Sequence, residues 1–347
     1  MRTLTIKLSP SRNSVTSHSS GGWARENIVL NCHTFDPSNG YGRLASSLIP
    51  FFNNVKLLAD GGVPEHLVYL QAHGNPDISI APPFVVNKAP IVFTMWESSK
   101  LPPIFTTLLN HRKLIITPCE QNKTAFVDSG VVTPVEVCNL DTRPKYYMPP
   151  AAQPFTFIHV GCDSSVPERK RSADIVNTFI KTFSAESDVR LIIKKSSTCK
   201  KIHCFDSRVR LITDTISEQT LRELYVKAHV GIFLVAQEGW GYPALDMMSV
   251  GRPVIAPFWG GFAEYLDNTC GYSLRFKLKP TPKAVYDSIG LCPYVEETTL
   301  SQSLRFVYEN KEDTVAKGVM AYRRSMGFTQ SRMYNRLTKI LNAYPIL

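Results

Sequence analysis

Short apolar runs alternate with helical stretches along this chain, and Met148-Pro149-Pro150-Ala151-Ala152-Gln153-Pro154 divides the alternation into two halves. Clustered prolines fix φ and remove backbone donors, so neither a helix nor a central strand continues through them. The segment predicts two α/β domains, residues 1–150 and 151–321, with residues 322–347 as a terminal element. In the first half, strands are expected at Ile28–Cys32, Ile78–Ile80, Ile91–Met95, Leu114–Thr117 and Val135–Val137. Leu4–Leu8 is a further candidate, ahead of a Ser/Arg-rich loop. Helices are expected at Arg43–Phe52, Pro103–Asn110 and Asn122–Ser129. The second half repeats the pattern, with strands at Phe155–Val160, Arg190–Lys194, Arg208–Ile212, Val230–Val235 and Val254–Ala256. Its helices are expected near Ser172–Phe183 and Glu218–Ala228, and Arg323–Tyr344 reads as one basic helix. Strands and helices in this rhythm predict parallel sheets covered on both faces.

Composition narrows the classes. With 44% hydrophobic and 20% charged residues, the chain of 347 is an ordinary globular protein of two-domain length. No apolar run approaches the ~20 residues that a spanning helix needs. The start leads into the polar run Ser9–Ser20 rather than an apolar core, unlike a signal peptide. A cytoplasmic protein is expected, with peripheral contact at the inner face of a membrane as the alternative. The eight cysteines form no Cys-x-x-Cys, and Cys199, His203 and Cys204 lack a second ligand pair. Reduced thiols are expected, and no zinc site. Lysine and arginine number 39 against 29 acids, a net charge of +10, which suits an anionic surface or a polyanionic partner.

The richest segment runs from Gln237 to Ile255. Glu238 opens the turn Gly239-Trp240-Gly241-Tyr242-Pro243, and Asp246 follows after seven intervening residues. The glycines let backbone approach a ligand closely, and Pro243 suits a first helical turn. The head of that helix carries unpaired N–H groups and a positive dipole end, a seat for phosphate. Asp246, about one turn in, can address the same ligand.

This segment resembles the donor-site motif of retaining nucleotide-sugar glycosyltransferases of the GT-B fold, in the large group 1 family. There the motif reads Glu-Gly-Phe-Gly-x-Pro-x-x-Glu; here Asp246 stands for the second Glu. Thr94–Pro102, Ser129–Val135, Ile216–Ala228 and Gly260-Gly261-Phe262-Ala263-Glu264 are similar to other segments of the family, so the resemblance covers nearly everything from Ile28 onward. It implies two Rossmann-like domains facing a central cleft, acceptor on the first, donor on the second, and a closing helix that crosses back to the first domain. It implies nucleotide-sugar as substrate rather than cofactor and no metal; the chain has no Asp-x-Asp motif.

By the same resemblance Glu238 contacts hydroxyls of the transferred sugar and Asp246 the ribose, with Gly239, Trp240, Gly241 and Tyr242 around the donor. A departing nucleoside diphosphate needs positive charge. Lys194 and Lys195 end a strand, and Arg169-Lys170-Arg171 open a helix. The family's usual arginine is replaced by Cys162, which leaves Lys194 and Lys170 as the leading candidates, with Arg169 and Lys195 beside them. Gly40-Tyr41-Gly42 offers backbone amides to the diphosphate. Gly260 and Gly261 do so near the donor, with Glu264 positioning nucleotide or loop. Trp96 and Glu97 follow a first-domain strand, where open α/β sheets place ligands, and His33 ends another; these are acceptor-side candidates, with packing or a loop salt bridge as the competing reading.

UDP-glucose is the expected donor, ahead of GDP-mannose, and a glycan or lipid-linked sugar the expected acceptor. A hydroxylated base of DNA is the alternative acceptor, suited to the basic charge and to Arg323, Arg324, Arg332, Arg336 and Lys339. A non-catalytic GT-B protein that binds nucleic acid or sugar nucleotide is the third reading, resting on Cys162 and Asp246.

Overall fold

The computed structural model describes residues 28–32, 40–52, 55–59, 77–83, 88–142, 146–150, 154–161, 169–196, 199, 201–235, 238–281 and 289–345. His33, Cys162, Gln237 and the strand expected at Leu4–Leu8 lie outside the described residues. The chain divides into two units: Met1–Trp96, Leu101–Asp141 and Gln330–Leu347 form one, Glu97–Lys100 and Thr142–Thr329 the other.

The first unit carries β1 (Ile28–Cys32), α1 (Gly40–Leu48), β2 (Val55–Ala59), β3 (Ile78–Ile80) and β4 (Ile91–Phe93). Then come α2 (Pro103–Asn110), β5 (Leu114–Thr117), α3 (Glu120–Asp128) and β6 (Val135–Val137). All strands pair in parallel, in the order β2-β1-β3-β4-β5-β6. β3, β4 and β5 are buried at every position, which is why they read as unbroken apolar runs. Helix α1 starts at Gly40, three residues ahead of the expected Arg43, so the glycine pair forms its first turn.

The second unit repeats the plan with β7 (Phe155–Val160), α4 (Ser172–Thr182), β8 (Val189–Lys194), β9 (Val209–Ile212), α5 (Glu218–Lys227) and β10 (Val230–Ile232). There follow α6 (Tyr242–Met248), β11 (Val254–Ala256), α7 (Phe262–Tyr265) and β12 (Gly271–Ser273). The parallel sheet has the order β12-β11-β10-β7-β8-β9. On α4, Ile175, Val176 and Phe179 share one face and pack with Phe155, Phe157, Leu191 and Ile193 in the core. An antiparallel hairpin, β13 (Lys277–Pro280) and β14 (Leu291–Tyr294), and helices α8 (Glu297–Glu309) and α9 (Lys311–Ser325) complete it.

Two chain segments fall differently from expectation. Residues from Thr142 onward belong to the second unit, ahead of the prolines. The Thr142 hydroxyl donates to Asp246 (3.0 Å), and Tyr147 packs edge-on against Tyr322. The expected single helix Arg323–Tyr344 is two: α9 ends at Ser325 and α10 spans Gln330–Ala343. Between them Met326-Gly327-Phe328 forms a turn whose N–H groups donate back to Tyr322, Arg324 and Ser325. The Phe328 ring packs on Trp240 and Tyr265, and its carbonyl accepts the Thr142 N–H (2.7 Å). Gly327, a poor helix former, and the buried contact of Phe328 both fall in the break. Arg323 and Arg324 therefore lie in the second unit, whereas Arg332, Arg336 and Lys339 lie in the first. There α10 buries Met333, Leu337, Ile340 and Leu341, and Arg336 pairs with Glu136 (3.0 Å).

Candidate active site

The second sheet reverses its strand order between β7 and β10, and the carboxyl ends of the strands at such a switch point form a crevice for ligand in open α/β sheets. Glu238 follows β10 there, and Arg169 and Lys170 follow β7 ahead of α4. The structure joins them: Lys170 Nζ donates to Glu238 Oε2 at 2.5 Å, with both side chains largely buried. Burial alone would raise the Glu238 carboxyl; the Lys170 ammonium and the Arg169 guanidinium outweigh it and hold the group below its ordinary range. Arg169 itself pairs with Glu97 (2.6 Å).

The backbone at Arg171 fixes this basic turn. Arg171 sits in the left-handed region at φ 52°, which costs a side chain of this size about 1 kcal/mol or more. Its guanidinium compensates by donating to Val295 O (2.7 Å) and Asp174 (2.7 Å) and lying 4.8 Å above the Tyr294 ring. Beneath Lys170 lies a residue that sequence reasoning passed over. His159, fully buried at the end of β7, has Nδ1 2.8 Å from Ile232 O and Nε2 3.1 Å from Ser172 Oγ. A carbonyl only accepts, so Nδ1 carries the proton and, in the neutral ring, Nε2 accepts from the serine. A Cβ on Gly161 would meet His159 Nε2 at 2.9 Å and Lys170 Cγ at 3.1 Å, so the imidazole floors the site. A polar residue inside the apolar run Phe155–Val160 was its one sequence signal.

The loop that delivers Glu238 is built on glycine. Gly241 has φ 90°, and a Cβ there would lie 2.6 Å from the Tyr265 hydroxyl. That hydroxyl contacts Trp240 O (3.0 Å) and Gly241 O (2.8 Å), tying the turn to α7. Gly260 and Gly261 stack directly on residues 238–240, and a Cβ on Gly261 would overlap the Trp240 backbone. Gly261→Ala is therefore expected to destabilise the second unit by about 1–3 kcal/mol, since the clash is with backbone rather than a side chain that can turn away. A thermal melt equal to that of the parent would show that the two loops are not packed as described.

The remaining candidates separate. Trp240 is 1% exposed, packed on Tyr265 and Phe328, so only its backbone is available to a ligand. Tyr242 is buried as well, and Asp246 is buried with Oδ1 accepting from Thr142. Glu264 lies half-buried on α7. Lys194 and Lys195 end β8 beside Gly161, whose N–H donates to Lys194 O (3.1 Å); Lys194 Nζ donates to Lys195 O (2.9 Å). Lys170, rather than Lys194, meets Glu238. In the first unit, Tyr41 spends its hydroxyl on the Met95 backbone, and Gly40 has open space around it. Trp96 takes the packing arrangement of its two readings: it is 1% exposed, packs edge-on against Phe105, and its backbone N–H donates to Asn122 Oδ1 (3.1 Å). Glu97, its neighbour, belongs to the second unit through Arg169.

Among the described residues no three His, Cys, Asp or Glu side chains are grouped to hold a metal. Seven of the cysteines are described and all are free thiols, and burial pushes Cys138 up to about 12. No described helix is long and apolar enough to cross a membrane.

No family model matches the chain, and neither does any curated protein. Solved structures do. The chain is similar to a sucrose-phosphate synthase of Thermosynechococcus elongatus at a TM-score of 0.68 and 13% identity, covering 92% of this chain and 99% of that one. Anabaena HepE in complex with UDP-glucose matches at 0.65 and 13%, covering 91% and 99%. The pneumococcal O-GlcNAc transferase GtfA, in complex with UDP and GlcNAc, matches at 0.54 and 11%, covering 84% of this chain but only 57% of that one. Identities this low speak to architecture, and the architecture is the GT-B fold of two Rossmann-like units, each with a six-stranded parallel sheet.

Proposed function

We propose that the chain is a retaining glycosyltransferase, moving a sugar from a nucleotide-sugar donor to an acceptor hydroxyl. One observation carries the reading: the Lys170–Glu238 pair stands at the strand-order switch of the second sheet, at the head of the glycine loop and α6. It brings together a cation for phosphate and a carboxylate for sugar hydroxyls, as donor chemistry requires. UDP-glucose is the first donor to test, supported by the complex of HepE, a structural neighbour.

In this reading Lys170 and Arg169 receive the diphosphate, Lys as a point charge and Arg through its planar fork. Glu238 turns from Lys170 to the sugar hydroxyls, and Asp246 addresses the ribose. The bond from the anomeric carbon to the phosphate oxygen breaks, and its electron pair leaves with the diphosphate. The acceptor oxygen bonds to the same face, and its proton passes to the departing phosphate. The protein supplies preorganised charge where negative charge develops.

A glycan or lipid-linked hydroxyl is the favoured acceptor. The DNA alternative keeps the net charge of +10 as support but not a continuous basic helix, since α9 and α10 share out its arginines and Arg336 already serves Glu136. Calorimetry tests the donor reading. The parent is expected to bind UDP more tightly than uridine. Lys170→Ala should weaken UDP by about tenfold or more, the worth of a charged hydrogen bond, while uridine changes little. Equal loss for both ligands would remove Lys170 from the phosphate.

A further inference from the structure

In the basic turn at residues 169–171, Lys170 pairs with Glu238 and Arg169 with Glu97, while Arg171 turns away to Asp174. Donor chemistry gives Glu238 a second task, contact with the sugar. It gives none to Glu97. We propose that Glu97 is an exchangeable counter-ion, holding Arg169 until a diphosphate takes its place. This rests on the donor reading above and adds a residue that sets nucleotide affinity without touching the reacting atoms.

Three observations support it. First, Glu97 is held independently of any ligand. Ser98 Oγ donates to Ile289 O (3.0 Å), Ser99 N–H to Leu291 O (3.0 Å), and Leu291 N–H to Ser99 Oγ (2.8 Å). The segment 97–100 thus runs along the edge of the β13–β14 hairpin, and its carboxylate is presented to Arg169 from a fixed backbone. Second, the pair is not sealed. Arg169 and Glu97 keep 20% and 23% of their side-chain surface exposed, so an incoming anion can reach the guanidinium. Third, Lys170 and Arg169 each already meet a carboxylate. A diphosphate entering beside both carboxylates would meet repulsion, so one must withdraw. Like charges that contend for the same cation in a partly buried site repel appreciably. Glu238 can turn to neutral hydroxyls, which leaves Glu97 as the group that gives up its cation.

The consequence is a reduced apparent affinity. A ligand that binds only when Arg169 is released pays for the fraction of time that it is not, and a change that releases it removes the penalty. Calorimetry with UDP and uridine on the full chain provides the test. Glu97→Gln is expected to tighten UDP binding by about tenfold and leave uridine unchanged. Glu97→Asp keeps the charge and should stay near the parent. In an Arg169→Ala background the gain from Glu97→Gln should vanish, as a double-mutant cycle requires of two coupled groups. If Glu97→Gln leaves UDP binding unchanged or weakens it, Glu97 supports Arg169 rather than competing for it, and the proposal fails alone. A parent that binds neither UDP nor GDP overturns the donor reading and this proposal with it.

Discussion

Glu238→Gln is expected to remain folded, to bind UDP at least as tightly as the parent, and to lose about 10²-fold or more in turnover. The two halves of that result have separate causes. Removing the carboxylate frees Lys170 from its 2.5 Å contact, leaving the cation fully available to phosphate. The amide keeps the shape of the side chain but loses the charge that would strengthen hydrogen bonds to the sugar as the anomeric bond breaks. Turnover at saturating donor separates the two effects, and a parent-like rate there would sink the assignment of Glu238 to the sugar. Stability should respond to pH with a definite sign. The folded-state carboxyl is held below its ordinary range, principally by Lys170 and Arg169 against the opposing effect of burial. The pair's contribution is therefore present above the unfolded value of about 4.3 and is lost as pH falls through the depressed folded value. Melting curves of parent and Glu238→Gln should differ at neutral pH and converge well below about pH 4.

What the sequence could disclose depended on how local the deciding contacts were. β7 carries Phe155, Phe157 and Ile158 because almost its whole length is buried, and such a cluster identifies a central parallel strand unaided. The β13–β14 hairpin escaped notice because Lys277–Pro280 is exposed along its length and carries no alternating apolar face. The break between α9 and α10 holds Gly327, a local signal, beside Phe328, whose packing on Trp240 and Tyr265 joins residues far apart in the chain. The glycine turn at 238–242 was legible as a turn because its spacing is local. Which lysine pairs with Glu238 was not, since it turns on how β7, β8 and β10 lie side by side. Trp96 shows the limit most plainly: a position at the carboxyl end of a strand says where the backbone is, not that the ring turns into the core. His159 escaped for the complementary reason, as a buried imidazole is recognisable only once Ile232 O and Ser172 Oγ are in place on either side of it.

Arg252→Met is expected to cost the second unit about 3–5 kcal/mol, the range for breaking a buried charged network from one side. In sequence Arg252 was merely the middle of Gly251-Arg252-Pro253. In the structure it is fully buried, and burial brings it down to about 10, still protonated at neutral pH. Its guanidinium donates to the carbonyls of Ala228 (2.5 Å) and Val226 (2.6 Å) at the end of α5. It donates also to Val250 (3.0 Å) beyond α6 and to Met148 (2.5 Å) in the proline segment. Those of Val226 and Ala228 are carbonyls that a helix end leaves without partners, and one planar cation satisfies them together with Val250 and Met148. Methionine fills much of the volume but strands the carbonyls in a site closed to water, each at about 1–3 kcal/mol before relaxation. Arg252→Lys should fall between, because a point charge on a flexible stem reaches fewer of them at once. Chemical denaturation monitored by tryptophan fluorescence is the measurement, with the midpoint shifting at an unchanged slope. Because Arg252 secures the far end of the segment that begins at Glu238 and carries Asp246, the same variant should also bind UDP more weakly under conditions where it remains folded. A midpoint equal to the parent's would mean that these carbonyls find other partners, and that the arginine does not hold α5, α6 and the proline segment together.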